Sequence, residues 1–171
     1  MSMSTRALIS EEEYLHRVYE PDCEYEDGVL IERNVGERDH SWLQAALTAY
    51  LFRRRKLWDI HVFTEQRHRV RQGQYMIPDI CVISGSWPTE KIFDKPPLLW
   101  VEILSPEDRP IRVNEKIRHL LEFGANNIWV IDPETLESEL HTPRGSRTIE
   151  DGVLRIEGTP IEVPLHKIDE D

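Results

Sequence analysis

The apolar positions of the chain follow a helical period in three segments. Ser10 stands three residues before Glu13 and just ahead of an apolar pattern, which is the capping-box spacing of a helix start. Apolar residues recur at helical intervals over residues 39–55, and this second segment ends in a basic run. A third helix is predicted over residues 110–123, because proline suits the first helical position and Gly124 suits the position after the last.

Between these helices the pattern predicts strands. Asp27-Gly28 separates two strand-like runs in CEYEDGVLIERN and indicates a tight hairpin turn. IHVFTEQ and RHRVRQ alternate between apolar and polar residues, whereas IPDICVI (77–83) and PLLWVEIL (97–104) are almost continuously apolar. Strands of the second kind are covered on both faces, as in the centre of an α/β sheet.

The last third of the chain adds further strands. NIWVIDP (127–133) is another buried run, and its place after a strand and a helix predicts a right-handed crossover. SELHT (138–142) and a hairpin at Asp151-Gly152 are predicted to form peripheral antiparallel strands. The final residues, HKIDED, are predicted to be an acidic tail.

Organisation and composition indicate one soluble domain. The chain contains no repeat or linker, and we predict a single α/β domain over residues 1–171, with its core at about 10–142 and peripheral strands at 143–171. A hydrophobic content of 39% excludes a disordered chain. Cys23 and Cys81 lack CxxC spacing and are predicted to be reduced thiols. The polar N-terminus lacks a signal-peptide core, and no apolar run approaches the roughly 20 residues of a membrane span, which predicts a cytoplasmic protein without a membrane partner.

Charge is distributed unevenly along the chain. The net charge of −11 excludes a surface that is basic throughout, but it allows a local basic groove. Residues 53–72 contain seven Lys and Arg against two acidic residues. Within them Arg67, Arg69 and Arg71 alternate, so they share one face of a predicted strand and form what we call the arginine stripe. The stripe is suited to a nucleic-acid backbone, and a solvated edge strand protected by charge is an equally good interpretation.

Two carboxylates interrupt the buried strands. Glu102 lies inside the apolar run LLWVEIL, where an ionised carboxylate is costly unless it is paired or binds a metal. Asp79 interrupts IPDICVI directly after Pro78. A strand end at Glu102 and a turn at Asp79 are the simpler interpretations of each residue alone. Together, however, two isolated carboxylates on consecutive buried strands suit one hard cation such as Mg²⁺.

Three further residues are candidates for the same site. Lys116 lies at the edge of the apolar face of the third predicted helix, where a lysine is more often extended toward solvent than catalytic. His40 shares a helical face with apolar residues, which favours a histidine at the edge of the core. Glu24 precedes the predicted hairpin turn among other acids and is, on its own, one more surface carboxylate.

Taken in order, these segments resemble a known nuclease superfamily. IPDICVI, then VEILSP, then a helix that carries Lys116 and ends in FGANNIWVIDPET, is similar to the PD-(D/E)XK nucleases, and in particular to the bacterial Uma-type restriction endonuclease family. CEYEDGVLIER resembles the Glu-x-x-x-Asp-Gly hairpin of that family, and RDHSWLQAAL resembles its helix that opens with a histidine. The resemblance covers roughly residues 10–142.

The resemblance implies a fold and a set of site residues. The implied fold is an α/β restriction-endonuclease-like core, in which a mixed central sheet is flanked by helices and bordered by antiparallel hairpins. Asp79 and Glu102 are implied to bind Mg²⁺ or Mn²⁺, and Lys116 corresponds to a motif lysine displaced onto the following helix. Glu24 and His40 match positions that the family keeps near the site.

The sequence also departs from the family pattern. Arg112 stands where an acidic residue is common, and Leu120 stands where an aromatic residue is common. We predict a Mg²⁺-dependent endodeoxyribonuclease that hydrolyses the phosphodiester bonds of DNA with an activated water. Two alternatives stay open: a nuclease fold without catalysis that binds DNA or protein, and a metal-dependent hydrolase of a small phosphorylated substrate. A homodimer is compatible with the sequence.

Overall fold

The computed structural model describes residues 8–170, so most of the polar N-terminus lies outside the described residues. The described helices are α1 (Glu11–His16), α2 (Arg38–Arg53), α3 (Arg55–Trp58), α4 (Pro110–Phe123) and the 3₁₀ helix Leu165–Lys167. The described strands are β1 (Cys23–Glu26), β2 (Val29–Glu32), β3 (Ile60–Thr64), β4 (His68–Arg71), β5 (Gln74–Met76), β6 (Ile80–Ser84), β7 (Leu99–Ile103), β8 (Ile128–Ile131), β9 (Ser138–Thr142), β10 (Gly145–Thr148), β11 (Val153–Arg155) and β12 (Glu162–Pro164). Across this part of the chain, no helix has both the length and the apolar character needed to traverse a bilayer.

The strands form a mixed central sheet and two antiparallel sheets. The central sheet has six strands in the order β10-β9-β8-β7-β6-β3. Its β7–β8 pair is parallel and is connected through α4, whereas its other neighbours are antiparallel. A four-stranded sheet has the order β2-β1-β5-β4, and β11 pairs with β12. The predicted α/β class with a mixed central sheet and antiparallel hairpins is therefore confirmed.

Side chains of the central strands alternate between two apolar layers. On β7, Val101 and Ile103 face the layer that contains the buried residues of α2. Trp100 faces the opposite layer, which contains Ile117 and Leu120 of α4. The central sheet is covered on both faces, as its continuous apolar runs predict.

Local sequence signals position several elements as expected. The Ser10 side chain accepts a hydrogen bond from the N–H of Glu13 at 3.0 Å and caps α1. The β1–β2 hairpin turns at Asp27 and Gly28, whose φ angles of 45° and 94° suit an Asp-Gly turn. Helix α4 ends at Gly124, whose φ of 103° disfavours any side chain.

The predicted hairpin at Asp151-Gly152 is wrong. Strand β10 before this turn pairs with β9, and strand β11 after it pairs with β12. Asp151-Gly152 therefore connects strands of different sheets. The dipeptide does allow a tight turn, with a φ of 67° at Gly152, but the partners of the flanking strands are decided by tertiary packing.

The C-terminal segment also packs more deeply than predicted. Six of its apolar residues lie in the same buried cluster as α2: Leu154, Ile156, Ile161, Val163, Leu165 and Ile168. The cluster also contains Trp129 and Leu140 of the central sheet, which these side chains help to cover. The segment that was predicted as peripheral strands and an acidic tail thus contributes to the core, with Ile168 almost fully buried.

The second predicted helix is divided near its end. Helix α2 ends at Arg53, and the basic run continues into the short helix α3. The backbone of Arg54 has a φ of −93° and a ψ of 1°, which interrupts the regular helix. The N-terminal turn of α2, which carries His40, is the part of the helix that borders the candidate site.

Candidate active site

Asp79 and Glu102 meet across two neighbouring strands of the central sheet. Strands β6 and β7 are antiparallel with Ile80 opposite Val101, and Asp79 lies in the bend directly before Ile80. The N–H of Asp79 donates to the carbonyl of Val101 at 3.1 Å, one residue out of register with the ladder, so the regular pairing ends beside Glu102. By the alternation along β7, Glu102 shares the face of Trp100, which α4 covers. Asp79 instead contacts His40 of α2, which packs on the other face, so the two carboxylates approach one cleft from different sides of the sheet.

Asp79 is buried and has partners on both carboxylate oxygens. Its Oδ2 accepts a hydrogen bond from the backbone N–H of Ile103 at 2.7 Å. Its Oδ1 lies 2.9 Å from Nη2 of Arg33 and 3.5 Å from Nε2 of His40. Burial acts to raise the pKa of the Asp79 carboxyl, but the hydrogen bonds from His40 and Ile103 and the charge of Arg33 together lower it below its usual value. Asp79 is therefore held in its ionised form.

Lys116 bridges two carboxylates that come from different sheets. Its Nζ lies 2.7 Å from Oε1 of Glu24 on β1 and 2.8 Å from Oε1 of Glu102 on β7. Glu24 is buried and also accepts the N–H of Ile77 at 2.8 Å. Its interpretation as a surface acid is therefore wrong, because the hairpin packs against the central sheet. Burial acts to lower the pKa of Lys116, but the two carboxylates raise it, so the ammonium stays charged.

The surroundings of Glu102 bring the pKa of its carboxyl close to neutral pH. Burial raises the pKa of its carboxyl to about 7, the Lys116 ammonium acts to lower it, and the charges of Asp79 and Glu24 add to the increase. A raised carboxyl pKa beside a charged partner is typical of a functional site, although structural ion pairs produce it as well.

His40 and Trp100 hold the two strand carboxylates in place. The hydrogen bond from His40 to Asp79 is the main cause of the raised pKa of this histidine, which burial partly offsets. His40 was expected at the edge of the core, and in the structure this edge borders the candidate site. The indole Nε1–H of Trp100 donates to Oε1 of Glu102 at 2.5 Å. Trp100 was not predicted, yet its spacing of two residues from Glu102 on one strand places both on the same face.

Arg33 is the second residue that the sequence analysis missed. It follows β2, and its side chain reaches Asp79 from the hairpin sheet. Nothing local in VLIERN distinguishes it from any other arginine after a strand, because its contact depends on how two sheets pack. The docking of β1–β2 beside β6 is what brings Arg33 and Glu24 into the site.

The arginine stripe lies elsewhere. Arg69 and Arg71 are exposed on β4 and contact acidic residues at 3.5 and 2.9 Å. Arg67 precedes β4, and its guanidinium carbon lies 4.7 Å from the ring centre of Tyr14. None of the three lines the cleft that contains Asp79 and Glu102. No contact among the described residues tests the prediction that these arginines bind nucleic acid, and their place outside the cleft favours the interpretation as a charged edge strand.

The cleft over the two carboxylates has a volume of about 480 Å³ and an excess of acidic residues. Eight acidic residues line it: Glu24, Glu26, Glu32, Asp79, Glu102, Glu107, Asp108 and Glu115. Four Lys or Arg residues line it: Arg33, Arg109, Arg112 and Lys116. An acidic cleft of this kind favours cations and repels a bare phosphate backbone.

The donor set of the site suits a metal ion that takes few protein ligands. Within residues 8–170 no group of three or more His, Cys, Asp or Glu side chains is placed to hold a metal ion. The site instead offers the carboxylate pair of Asp79 and Glu102. Both hydrogen bonds of Glu102 go to Oε1, which leaves Oε2 without a hydrogen-bond partner in the described chain. Mg²⁺ commonly takes one or two protein carboxylates and completes its shell with water and phosphate oxygens, so the pair fits such an ion.

The raised pKa of Glu102 predicts how the stability of the metal-free protein depends on pH. The carboxyl has a pKa of about 7 in the folded protein against an ordinary value of 4.5 in the unfolded chain, so the folded state binds more protons between these values. The contribution of Glu102 to the free energy of unfolding should therefore be greatest below pH 4.5 and should fall by about 3 kcal/mol as the pH rises from 4.5 through 7.

This pH dependence is measured by urea unfolding in EDTA between pH 5.5 and 8.0, for the wild type and Glu102→Gln. We expect the variant to lose much of the slope, because its amide does not titrate. His40, whose pKa is also raised, contributes a residual slope of the same sign. An unchanged slope in Glu102→Gln would show that Glu102 ionises in the folded protein as it does in water.

Comparison with known proteins assigns the chain to a family. The Uma2 family, described as "Putative restriction endonuclease", matches residues 11–165. No curated protein is significantly similar to the chain in sequence. Among solved structures, a putative nuclease belonging to DUF820 from Anabaena variabilis ATCC 29413 is similar in fold, with a TM-score of 0.79 and 22% identity, over 94% of this chain and 97% of that one. With a match over most of its length, this chain belongs to the Uma2 family of putative restriction endonucleases.

Proposed function

We propose that the protein is a Mg²⁺-dependent endonuclease that hydrolyses the phosphodiester bonds of DNA. The observation that carries this proposal is that Asp79 and Glu102 line one cleft, with the ammonium of Lys116 held 2.8 Å from Glu102. Two carboxylates and a cation in one cleft supply the groups that metal-assisted phosphate hydrolysis requires. Membership of a restriction-endonuclease family supports the same reaction class.

Asp79 and Glu102 would hold the divalent ion. Bound there, Mg²⁺ or Mn²⁺ supplies Lewis acidity toward a phosphate oxygen and lowers the pKa of water. His40 and the Ile103 N–H orient the carboxylate of Asp79, and Trp100 orients that of Glu102. These groups act through the two carboxylates, so they are positioning groups.

Lys116 would stabilise the negative charge that develops at phosphorus. Its ammonium is fixed between Glu24 and Glu102 and lines the cleft, so little reorganisation is needed when a phosphate enters. Glu24 positions this ammonium from the neighbouring sheet. Glu24 would therefore have a supporting role, and Asp79 and Glu102 would be the ligand set.

A non-catalytic binding module is the second candidate, and one observation favours it. Asp79 and Glu102 each contact a cation supplied by the chain, Arg33 and Lys116 respectively. In a nuclease fold that no longer binds metal, these two ion pairs would neutralise the carboxylates in place of the metal. Hydrolysis of a small phosphorylated substrate is the third candidate. A basic strand in the cleft would favour a nucleic acid over a small substrate, but the arginine stripe lies outside the cleft.

An assay of DNA cleavage tests the proposal. Purified protein with Mg²⁺ should nick or cleave DNA, and EDTA should stop the reaction. Glu102→Gln, purified in the same way, should be slower by a factor on the order of a thousand, because it removes one of the two metal carboxylates. A wild type that is inert on supercoiled, linear and single-stranded DNA would favour the binding module. Equal activity of wild type and variant would indicate a contaminating nuclease.

The salt dependence of DNA binding tests which arginines contact the backbone. Each neutralised phosphate contributes about −0.9 to the slope of log K against log salt on duplex DNA. Arg109 and Arg112 line the cleft and are exposed, so Arg109→Ala/Arg112→Ala should flatten the slope by up to about two contacts. Arg69→Ala/Arg71→Ala is the matched control, with the same charge change outside the cleft, and should leave the slope near the wild-type value. The reverse result would assign DNA binding to the arginine stripe.

A further inference from the structure

Arg33 is held at the candidate site by its backbone and by its guanidinium. Its N–H donates to the carbonyl of Asp22 at 2.9 Å, which fixes the chain where β2 ends. Its Nη2 lies 2.9 Å from Oδ1 of Asp79, and its Nη1 lies 3.6 Å from Glu65. The side chain is 17% exposed, whereas that of Glu65 is 57% exposed, so the strong contact is the buried one with Asp79.

The position of Arg33 conflicts with a metal ion on Asp79. Oδ2 of Asp79 already accepts the Ile103 N–H, and Oδ1 is the oxygen that contacts Arg33. A divalent cation that binds Asp79 therefore meets a positive charge within a few ångströms. An arginine cannot relieve this repulsion by losing its proton. A metal ion and the guanidinium therefore compete for Oδ1 of Asp79.

A displaced Arg33 has a suitable anion in the same cleft. The residue lines the cleft with Lys116, so its side chain has space to swing without unfolding β2. A planar guanidinium binds two phosphate oxygens at once, which an ammonium cannot do. The guanidinium would contact the substrate phosphate that a metal ion brings into the acidic cleft.

We propose that Arg33 is a resident counter-cation of Asp79 that is displaced by metal binding and then binds a phosphate of the substrate. In the absence of metal it neutralises a buried carboxylate. In the presence of metal its guanidinium contacts a phosphate of the nucleic acid. Metal binding therefore promotes substrate binding. This inference rests on the proposed function.

The first test is the affinity for Mn²⁺, measured by calorimetry or electron paramagnetic resonance without any substrate. Arg33→Gln should bind Mn²⁺ more tightly than the wild type, by a factor on the order of ten, because a competing charge beside Asp79 is gone. Arg112→Gln is the matched control: it removes the same charge from an exposed side chain of the same cleft and should change the affinity by about twofold or less.

A second variant protects the test against a folding defect. Arg33→Lys keeps the competing charge, so its Mn²⁺ affinity should stay near that of the wild type while Arg33→Gln differs. If Arg33→Gln does not fold, a crystal structure of the wild type with Mn²⁺ decides: we expect Nη2 of Arg33 to have left Oδ1 of Asp79. A guanidinium still bonded to Oδ1 beside a bound metal would overturn the proposal.

DNA binding in Ca²⁺, with cleavage checked on a gel, tests the second half of the proposal. Arg33→Gln should weaken binding of a duplex severalfold in Ca²⁺ and have little effect in EDTA, where Arg33 is occupied by Asp79. Equal weakening in both conditions would overturn the displacement. If the wild type binds Mn²⁺ through Asp79 but Arg33→Gln has unchanged affinity, only this inference fails. If neither wild type nor variants bind Mn²⁺, the proposed function fails with it.

Discussion

Replacing Lys116 with methionine should lower the free energy of unfolding of the metal-free protein by about 3–5 kcal/mol at pH 8. The variant keeps a side chain of similar length but leaves Glu24 and Glu102 buried without the ammonium that contacts both. A buried carboxylate that loses its partner retains the cost of desolvation and loses the attraction that offsets it. The measurement is urea unfolding in EDTA, followed by fluorescence.

The pH dependence of this loss distinguishes charge from packing. Burial gives Glu102 a pKa of about 7 although the Lys116 ammonium acts to lower it, so without that ammonium Glu102 takes up its proton at a still higher pH. The destabilisation by Lys116→Met should therefore be smaller at pH 5.5 than at pH 8. A cavity or a steric clash would give a loss that does not change with pH.

Arg118→Met is the matched control for Lys116→Met. Arg118 is two residues further along α4, is 63% exposed and reaches Glu122 only at 4.0 Å. Its replacement should cost about 0.5 kcal/mol or less at either pH. If both variants lose the same amount, Lys116 is one more surface cation and the buried triad with Glu24 and Glu102 has no energetic role.

Asp79→Asn should abolish most of the stabilisation that Mg²⁺ or Mn²⁺ gives to the protein. An ion present at about one hundred times its dissociation constant stabilises the folded state by about 2.7 kcal/mol, which raises the melting temperature by several degrees. The asparagine is similar in shape and still accepts a hydrogen bond from the Ile103 N–H, but it lacks the charge that holds the ion. Thermal unfolding with and without metal measures the difference.

Asp94→Asn is the matched control for this experiment. Asp94 is a half-exposed carboxylate that contacts Arg69 outside the cleft, so its replacement should leave the metal-induced shift intact. A shift that persists in Asp79→Asn would remove Asp79 from the ligand set. A shift that is absent in the wild type as well would favour the non-catalytic module, in which Arg33 and Lys116 are the permanent partners of the two carboxylates.

The two departures from the family pattern lie at different places in the fold. Leu120 is fully buried in the layer between α4 and the central sheet, where a leucine packs well. Arg112 is exposed on the first turn of α4 and lines the cleft. Among the described residues neither has a hydrogen bond or ion pair with Asp79 or Glu102, so the change at Arg112 concerns the cleft and the change at Leu120 concerns the core.

The sequence by itself determined most of the elements and drew attention to the two central carboxylates. A run such as LLWVEIL belongs in a sheet covered on both faces, and a carboxylate within it needs a partner, so the hydrophobic pattern alone made Glu102 and Asp79 candidates for the site. Ser10, Gly28 and Gly124 carry local signals whose physical basis lies within a few residues of each, and the structure has the cap, the turn and the helix end at those places.

Only the tertiary structure decided which charges meet. Glu24 and Arg33 come from the hairpin sheet, and their contacts with Lys116 and Asp79 depend on how that sheet docks beside β6 and β7. The arginine stripe shows the same limit: period-two alternation places Arg69 and Arg71 on one face, but it does not say what that face borders. Hydrophobic periodicity is a local property that can be read from neighbouring residues. Ion pairs between elements far apart in sequence form only after the apolar layers have packed.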